Sequence, residues 1–222
     1  MATHSKIIRI EPVTHDVFRL EVEKPAGLKY LPGQAADISL NKKGWEKELR
    51  AFTFTSHPDD KHLEFTIKTY PGHHGLTAQI QTLIPGDELI IHDVFGDIQY
   101  KGEGIFIAGG AGVTPFLAIF KDLERKGKMG HNSLIFANKT RADIIMEEHL
   151  QALLGKGLIN VLSLEEIEGY RHGYISAEII RGQMNGSSQF FYLCGPDPMM
   201  QAVGKHLENL GLSRERIVRE AF

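Results

Sequence analysis

The chain has 222 residues, which is long enough for one large domain or two small ones. Its 25 Lys and Arg residues against 28 Asp and Glu residues give a net charge of −3, so the composition excludes a strongly basic nucleic-acid-binding protein. The single cysteine, Cys194, excludes an intrachain disulfide, a zinc site made of several thiolates and a cysteine-held iron–sulfur cluster.

The first half of the chain, up to about residue 98, consists of short β-rich runs separated by turns that contain Pro or Gly. These runs predict six strands: Lys6–Glu11, Val17–Glu23, Ala35–Leu40, Leu49–Thr55, Leu63–Thr69 and Glu88–His92. One helix is predicted inside this half, from Leu76 or Thr77 to Leu83. Six strands at this spacing indicate a small antiparallel barrel.

After residues 100–104 the pattern changes to strands that alternate with longer helical segments. The predicted strands are Ile105–Ala108, Leu134–Ala137, Ile159–Leu164, Gln189–Leu193 and Arg216–Glu220. The predicted helices are Pro115–Arg125, Asp143–Leu154, Ser176–Ile180 and Pro198–Leu210. This alternation is typical of βαβ units in a doubly wound parallel sheet, so we expect one domain at residues 1–100 and a second at residues 101–222.

The strongest single signal is Gly110–Pro115 (GAGVTP), where a strand runs into glycines and then into a helix. Glycines let the backbone turn tightly and approach a pyrophosphate, whose charge the free N–H groups at the helix start favour. Pro115 suits the first helical turn, because a missing N–H costs nothing there. The segment is a candidate dinucleotide-binding loop. An ordinary strand-to-helix turn is the alternative, since a proline replaces the third glycine of the usual fingerprint.

The second signal lies at residues 191–200, where a strand ends at Cys194 and a Gly-Pro pair leads into a helix that Asp197 would cap. Doubly wound sheets bind ligands at the carboxyl ends of their strands, so Cys194 would face such a ligand. A buried, inert cysteine is the alternative.

In the first half, alternation along the strand Arg50–Thr53 (RAFT) places Arg50 and Phe52 on one face. A loop with glycines, Gly72–Thr77, opens the short helix and is a candidate anion site. We expect no metal site, because the adjacent His73 and His74 lack a third ligand nearby in the sequence.

Taken in order, these segments resemble the ferredoxin-NADP reductase superfamily, in particular the short bacterial flavodoxin or ferredoxin reductases, over essentially the whole chain. The resemblance rests on Pro32–Gln34, Arg50–Thr53, Gly75–Thr77, Pro85–Asp87, Gly110–Pro115, Cys194–Pro196 and Glu220–Phe222. It implies a six-stranded Greek-key antiparallel β-barrel that binds flavin, followed by an α/β doubly wound parallel sheet that binds NAD(P).

The resemblance also implies residue roles on the flavin side. Arg50 would pair with the flavin pyrophosphate, Phe52 would pack beside the isoalloxazine, and Thr53 would reach toward flavin N5. The phosphate and ribityl contacts would be completed by Lys68, Gly75 and Thr77. Phe52 stands where tyrosine is commoner, so the hydroxyl that often bonds the ribityl chain is missing.

On the nicotinamide side, the resemblance implies that Gly110, Gly112 and Thr114 hold the dinucleotide and that Cys194 lies beside nicotinamide C4. Phe222, in place of the usual terminal Tyr or Trp, would stack over the flavin ring. Glu220 would lie near Thr53. A frayed terminus and a solvated charge are the alternatives for these last two residues.

The choice between NADH and NADPH stays open. The loop Asn138–Arg141 (NKTR) has no acidic residue to receive a ribose 2′-OH, and its two cations, Lys139 and Arg141, could meet a 2′-phosphate. This tilts the prediction toward NADPH. The same four residues also fit a solvated loop.

The function implied is hydride transfer from NAD(P)H to a flavin, followed by single-electron transfer to a separate acceptor such as flavodoxin, ferredoxin or an oxygenase component. FAD is the commoner flavin of the family, and FMN stays open. The alternatives are an electron-transfer subunit of a multicomponent oxygenase or dehydrogenase and a non-catalytic sensor. The first residues lack a secretion signal and no apolar run spans a bilayer, so we expect a cytoplasmic monomer without nucleic-acid or membrane partners.

Overall fold

The computed structural model of the protein describes residues 2–70, 72–186 and 189–220. Its first half forms a six-stranded antiparallel sheet in the order β4-β3-β6-β1-β2-β5. The strands are β1 (Thr3–Pro12), β2 (Val17–Glu23), β3 (Ala35–Leu40), β4 (Arg50–Thr53), β5 (His62–Lys68) and β6 (Glu88–Phe95). The predicted barrel is confirmed, because a bridge between Phe54 and Phe65 joins the two edge strands, β4 and β5.

The barrel core forms from the inward-facing residues of the alternating strands. Phe54 and Phe65 are fully buried there, and the ring of Tyr30 stacks on Phe54 with centroids 4.1 Å apart. The Tyr30 hydroxyl lies 2.8 Å from the Ser56 Oγ atom, so its polar end has a partner inside the core. The barrel therefore has its own apolar core beneath the strand that carries Arg50.

The second half forms a six-stranded parallel sheet in the order β10-β9-β8-β7-β11-β12. The strands are β7 (Gly104–Gly109), β8 (Ser133–Asn138), β9 (Leu158–Leu162), β10 (Arg171–His172), β11 (Phe190–Cys194) and β12 (Ile217–Val218). The helices of the chain are α1 (Leu76–Gln79), α2 (Thr114–Arg125), α3 (Glu147–Leu154), α4 (Ala177–Gly182) and α5 (Asp197–Asn209). All six residues of β7 are buried, as a central parallel strand with both faces covered requires.

Several elements differ from the prediction in their bounds. The helix predicted from Asp143 begins only at Glu147, because Thr140 and Asp143 form a reciprocal capping box around a separate 3-10 turn at Arg141–Asp143. Helix α1 gives way to a 3-10 turn after Gln79. The two-residue strand β10 was not predicted, since two residues carry no periodic signal.

Helix α2 holds the two halves together. On its outer face, Arg125 pairs with Asp60 of the barrel at 2.6 Å, and the Lys121 ammonium donates to the Thr55 carbonyl oxygen at 2.9 Å. On its inner face, Phe116 and other apolar residues belong to a core cluster that also contains Val17 and Ile98. The relative position of the two sheets is thus set by both apolar and polar contacts of one helix.

The connection between the halves is attached to the parallel sheet by Tyr192 of β11. The Tyr192 hydroxyl accepts from the N–H groups of Lys101 and Gly102 at 2.9 and 3.1 Å and donates to the Gly102 carbonyl oxygen at 2.7 Å. The ring is fully buried and stacks on Phe106. None of the helices in the described part of the chain is long and apolar enough to cross a membrane.

We expect Tyr192→Phe to lower the free energy of unfolding by about 1 kcal/mol, because it removes the hydrogen bonds that attach the partly exposed backbone of Lys101 and Gly102 to β11. Urea denaturation followed by circular dichroism measures the change. Tyr174→Phe is the matched control, since the Tyr174 side chain is exposed and should change stability by less than about 0.5 kcal/mol. Equal stability of the two variants would contradict the role of the hydroxyl.

Candidate active site

The carboxyl edge of the parallel sheet contains a switch in strand order. β7 pairs with β8 on one side and with β11 on the other, and Cys194 at the end of β11 lies opposite Ala108. α2 follows β7 and α5 follows β11, so a crevice opens between the loops beyond these two strands. Open α/β sheets bind their ligands at such a point.

Two glycines of the loop after β7 have different structural roles. A Cβ added at Gly112 would overlap the carbonyl oxygen of Cys194, so glycine is needed for the two loops to approach this closely. Gly110 has a φ of +51°, and a Cβ added there would meet no atom within 4 Å. The backbone of Gly110 therefore faces open space, where a phosphate group can approach it.

A cavity of about 370 Å³ runs along this edge. Its lining includes Gly109–Ala111 after β7, Asn138 and Lys139 at the end of β8, Ser163 after β9 and Tyr174 after β10. The cavity thus extends from the predicted dinucleotide loop across the ends of three further strands.

Asn138 supplies unused hydrogen-bonding capacity in this cavity. Its side chain is only 8% exposed, and neither Oδ1 nor Nδ2 has a partner among the described residues. Buried amides are normally paired, because an unpaired one costs about 1–3 kcal/mol. Both atoms are closed to solvent, so a ligand in the cavity would reach them only after a local movement of this side chain.

Lys68 lies where the barrel meets the parallel sheet. Its ammonium is 2.8 Å from an Asp16 carboxylate oxygen and 3.8 Å from one of Asp143 in the second half. Lys68 lines the first cavity and also a second one of about 510 Å³ that contains the loop around His73. Lys68, which was predicted to lie on the flavin side, therefore contacts carboxylates of both halves.

The structure brings Thr53 and the predicted dinucleotide loop together. The Thr114 hydroxyl donates to the Ala111 carbonyl oxygen at 3.0 Å and lies 3.3 Å from the Thr53 Oγ atom. Thr53 ends β4 of the barrel, whereas Thr114 begins α2. Two candidate residues 61 positions apart in sequence thus meet in one crevice.

Arg50 and Phe52 lie next to this contact on β4. The exposed Arg50 guanidinium donates to the Leu49 carbonyl oxygen at 2.7 Å and is 3.9 Å from the exposed Glu48 carboxylate, so it stays accessible to an anion. Phe52 is half-buried against the barrel core. Gly75 precedes α1 and Thr77 lies in its first turn, also on the barrel.

Cys194 is a protonated thiol in this environment. Burial, and then the negative charge of Glu220, raises the pKa of Cys194 to about 12. The Glu220 carboxylate accepts the Asp97 N–H at 3.1 Å, so it is held at the end of the barrel. Phe222, the fourth candidate catalytic residue, lies outside the described residues.

The two cations after β8 are placed differently. Lys139 lines both cavities. Arg141 is exposed, its Nε donates to Glu147 at 3.1 Å, and its guanidinium lies 5.7 Å from the Tyr170 ring centroid. The carboxylate of Glu147 is the largest cause of the raised pKa of Arg141. Arg141 is thus bound to the start of α3.

Sequence reasoning missed the cavity residues Ser163 and Tyr174 and the pairing of Lys68 with Asp16 and Asp143. Ser163 and Tyr174 lie in loops without a recognisable motif, and Lys68, at the end of β5, is distant in sequence from both of its partners. No sequence signal marks Ser163 or Tyr174, because the cavity beside them is a property of the folded chain.

Comparison with known families assigns the two halves separately. Residues 4–100 match the family model of the oxidoreductase FAD-binding domain, and residues 106–205 match that of the oxidoreductase NAD-binding domain. The chain joins an oxidoreductase FAD-binding domain to an oxidoreductase NAD-binding domain and has the ferredoxin-NADP reductase-like fold. The resemblance found in the sequence is therefore confirmed, and so is the pairing of an FAD-binding barrel with an NAD-binding parallel sheet.

Individual superfamily members agree with this assignment. The chain is 29% identical over 98% of its length to the reductase component of propane 2-monooxygenase from Rhodococcus jostii strain RHA1, and it spans 63% of that protein. It is 29% identical over 93% of its length to NADH-cytochrome b5 reductase 1 from Aspergillus oryzae strain ATCC 42149 / RIB 40, and spans 78% of it. A ferredoxin NADP+ reductase from Neisseria gonorrhoeae, solved with bound FAD and NADP, has the same fold, with a TM-score of 0.86 at 18% identity covering 99% of this chain and 98% of that one.

The side chains present fit the two cofactors of this superfamily. The accessible Arg50 guanidinium is a fork-shaped donor that suits a pyrophosphate, and Phe52 offers an apolar surface beside it. In the other half, the open backbone at Gly110 suits a phosphate.

We expect Gly112→Ala to destabilise the protein by about 1–3 kcal/mol, because the added methyl group overlaps the Cys194 carbonyl and forces the two loops apart. Thermal and urea unfolding measure the effect. Gly204→Ala in α5 is the matched control: a Cβ there meets nothing within 4 Å, so the change should stabilise the helix by up to about 1 kcal/mol. A stable Gly112→Ala variant would contradict the close approach of the loops.

We expect alkylation of folded Cys194 by iodoacetamide to stay slow up to about pH 10, because its raised pKa keeps the unreactive thiol form. In urea, the rate should rise with the ordinary thiol pKa of about 8.5. The chain has a single cysteine, so the rate reports Cys194 alone. Glu220→Gln removes the nearby negative charge and should shift the rise to lower pH. If the alkylation rate of the folded protein rises around pH 8.5, the pKa of Cys194 is not raised and the prediction is wrong.

Proposed function

We propose that this protein oxidises NAD(P)H, reduces a bound FAD and passes the electrons one at a time to a separate acceptor. The observation that carries the proposal is the contact of Thr53 with Thr114 at 3.3 Å. It joins the FAD-binding barrel to the NAD-binding loop in one crevice, with the thiol of Cys194 at the end of the neighbouring strand β11. Bound flavin would supply the chemistry of accepting a hydride and releasing single electrons.

The barrel residues would bind and orient the flavin. Arg50 would pair with the pyrophosphate, Phe52 would pack on the ring system, and the Thr53 hydroxyl would direct a hydrogen bond toward flavin N5. The remaining contacts to the phosphate and ribityl groups would come from Lys68, Gly75 and Thr77. Lys68 supports such a role by position, because its ammonium lies at the boundary of both cavities.

Residues of the parallel sheet would bind and orient NAD(P)H. Gly110 presents open backbone to the pyrophosphate, while Gly112 and Thr114 hold the loop in place. Cys194 would contact the nicotinamide as a small neutral group, because a thiolate would place an unpaired negative charge beside the reacting atoms. A near-attack geometry depends on such fixed neighbours.

Glu220 and Phe222 would complete the site from the end of the chain. The Glu220 carboxylate is fixed by the Asp97 N–H, which places a negative charge within reach of Cys194. This position supports an electrostatic role near the reacting atoms. Phe222 would cover the flavin ring where the nicotinamide must lie.

The acceptor would be another protein, namely a flavodoxin, a ferredoxin or an oxygenase component. Related reductase components and cytochrome b5 reductases support this, as does the single cysteine, which excludes a cysteine-held cluster within the chain. Function as a subunit of an oxygenase or dehydrogenase complex is a second form of the same proposal, favoured by the similarity to the propane monooxygenase reductase component. We also propose the division into domains 1–100 and 101–222, a monomer and a cytoplasmic location.

The proposal is tested by adding NADPH or NADH anaerobically to the purified, FAD-loaded protein. Bleaching of the flavin absorbance within seconds is the expected result, and an artificial one-electron acceptor should then restore it. If the isolated chain passes electrons to the acceptor and its flavin absorbance returns, a free reductase is favoured. If the absorbance returns only when the chain is part of a complex, the subunit is favoured. Protein that does not take up flavin, or whose flavin neither nucleotide bleaches, would disprove the proposal.

We expect Arg50→Gln to weaken FAD binding about tenfold, because it removes a charge-assisted contact worth about 1.5 kcal/mol to the pyrophosphate. Fluorescence titration of the apoprotein measures the dissociation constant. Arg181→Gln, at an exposed position of α4, is the matched control and should leave FAD affinity unchanged. An unchanged affinity in Arg50→Gln would remove Arg50 from the flavin site.

A further inference from the structure

Helix α2 contacts the barrel segment at the end of β4 at two points. At the first residue of the helix, the Thr114 hydroxyl lies 3.3 Å from the Thr53 Oγ atom. About two turns later, on the same face of the helix, the Lys121 ammonium donates to the Thr55 carbonyl oxygen at 2.9 Å. Because two points are held, both the distance and the tilt of this barrel segment relative to α2 are set.

Thr55 is firmly bound inside the barrel. It is only 1% exposed, its N–H donates to the Glu64 carbonyl oxygen at 2.8 Å, and its hydroxyl donates to the Glu64 carboxylate at 3.0 Å. The intervening Phe54 is fully buried, and its N–H donates to the Gln34 carbonyl oxygen at 3.1 Å. A segment with so many partners moves as one unit, so a displacement of Thr55 also displaces Thr53.

Lys121 connects this segment to the other half of the molecule. Of the hydrogen-bond partners that Thr55 has among the described residues, Lys121 alone belongs to the second half. Its ammonium also lies 3.6 Å from the Glu64 carboxylate. The start of α2 is held in turn by the close approach of Gly112 to the Cys194 carbonyl oxygen. Lys121 therefore joins the strand end of the barrel to the loops at the end of β7 and β11.

We propose that Lys121 is a positioning residue, which sets the distance between the flavin on the barrel and the nicotinamide on the parallel sheet. This inference rests on the proposed function, in which Thr53 faces flavin N5 and Cys194 contacts the nicotinamide. Lys121 lines neither of the two large cavities, so it acts through Thr55 and not on a cofactor. Hydride transfer requires a near-attack geometry between the two cofactors, whereas binding of each cofactor does not. Loss of the ammonium should therefore slow the transfer and leave both affinities unchanged.

The test follows flavin bleaching in the FAD-loaded protein by anaerobic stopped-flow absorbance over a range of NADPH or NADH concentrations. The limiting rate reports the transfer step, and the half-saturating concentration reports nucleotide binding. Lys121→Met keeps the apolar stem and removes the donor. We expect its limiting rate to fall about tenfold, with the half-saturating concentration and the FAD dissociation constant within about twofold of the unmodified protein. Lys121→Arg retains a charged donor and should recover most of the rate.

Arg125→Met is the matched control. Arg125 also joins α2 to the barrel, through its ion pair with Asp60 at 2.6 Å, but it lies about one turn further from the crevice than Lys121. Its limiting rate should stay within about twofold of that of the unmodified protein.

A second variant separates the Thr55 contact from the ion pair, because Lys121→Met also leaves Glu64 without its cation. Lys121→Met combined with Glu64→Gln has no unpaired charge at this point and should be as slow as Lys121→Met alone. The combined variant carries the comparison if the single variant unfolds.

The inference is overturned if Lys121→Met bleaches at the limiting rate of the unmodified protein, whether or not its cofactor affinities change. An equal loss of rate in Arg125→Met also overturns it, because the effect would then belong to the interface as a whole. Recovery of the rate in the combined variant would assign the loss to the unpaired carboxylate and overturns it too. An unmodified protein whose flavin neither nucleotide bleaches overturns the proposed function itself.

Discussion

Both halves of the candidate site depend on how helix α2 packs between the two sheets. Its apolar face lies in the core of the parallel sheet, while its polar face reaches the barrel loop at residues 55–60. A buried pair adds to this contact: His57 Nε2 lies 3.0 Å from Asp122, and its Nδ1 accepts the Asp59 N–H at 3.1 Å. Since that N–H occupies Nδ1, the neutral ring donates from Nε2 to the carboxylate. The start of the same helix carries Thr114, so the interface that joins the halves also positions the crevice.

Two of the cations around the crevice form ion pairs with carboxylates. Lys68 is balanced by Asp16 and Asp143, and Arg141 is balanced by Glu147. Groups without a partner in the described part of the chain are then informative, because natural proteins rarely bury a polar group without use for it. The amide of Asn138 is such a group, because its oxygen and nitrogen are buried at the end of β8 and neither has a partner.

Local sequence patterns predicted most of the fold, because the apolar periodicity and the turn residues of most elements agree with their place in the structure. β7 is apolar throughout and is the central buried strand, and Gly110 and Gly112 mark the loop that follows it. Predictions failed where a side chain overrode periodicity, as when the Thr140 and Asp143 capping box delayed α3 to Glu147. The site residues Ser163 and Tyr174 were not predictable, since nothing in their local sequence marks a strand end that faces a cavity.

The sequence by itself determined the two kinds of sheet, the dinucleotide loop and the superfamily, because these follow from periodicity, glycine placement and motif order along the chain. Only the tertiary structure decided which candidate residues meet. Thr53 approaches Thr114, and Glu220 reaches Asp97 across 123 positions, through packing that no local pattern encodes. It also separated Lys139 from Arg141: the two cations are equivalent in the sequence, but only one has a neighbouring carboxylate in the folded chain. Which charges are neutralised depends on distances in space, and those are set by the fold.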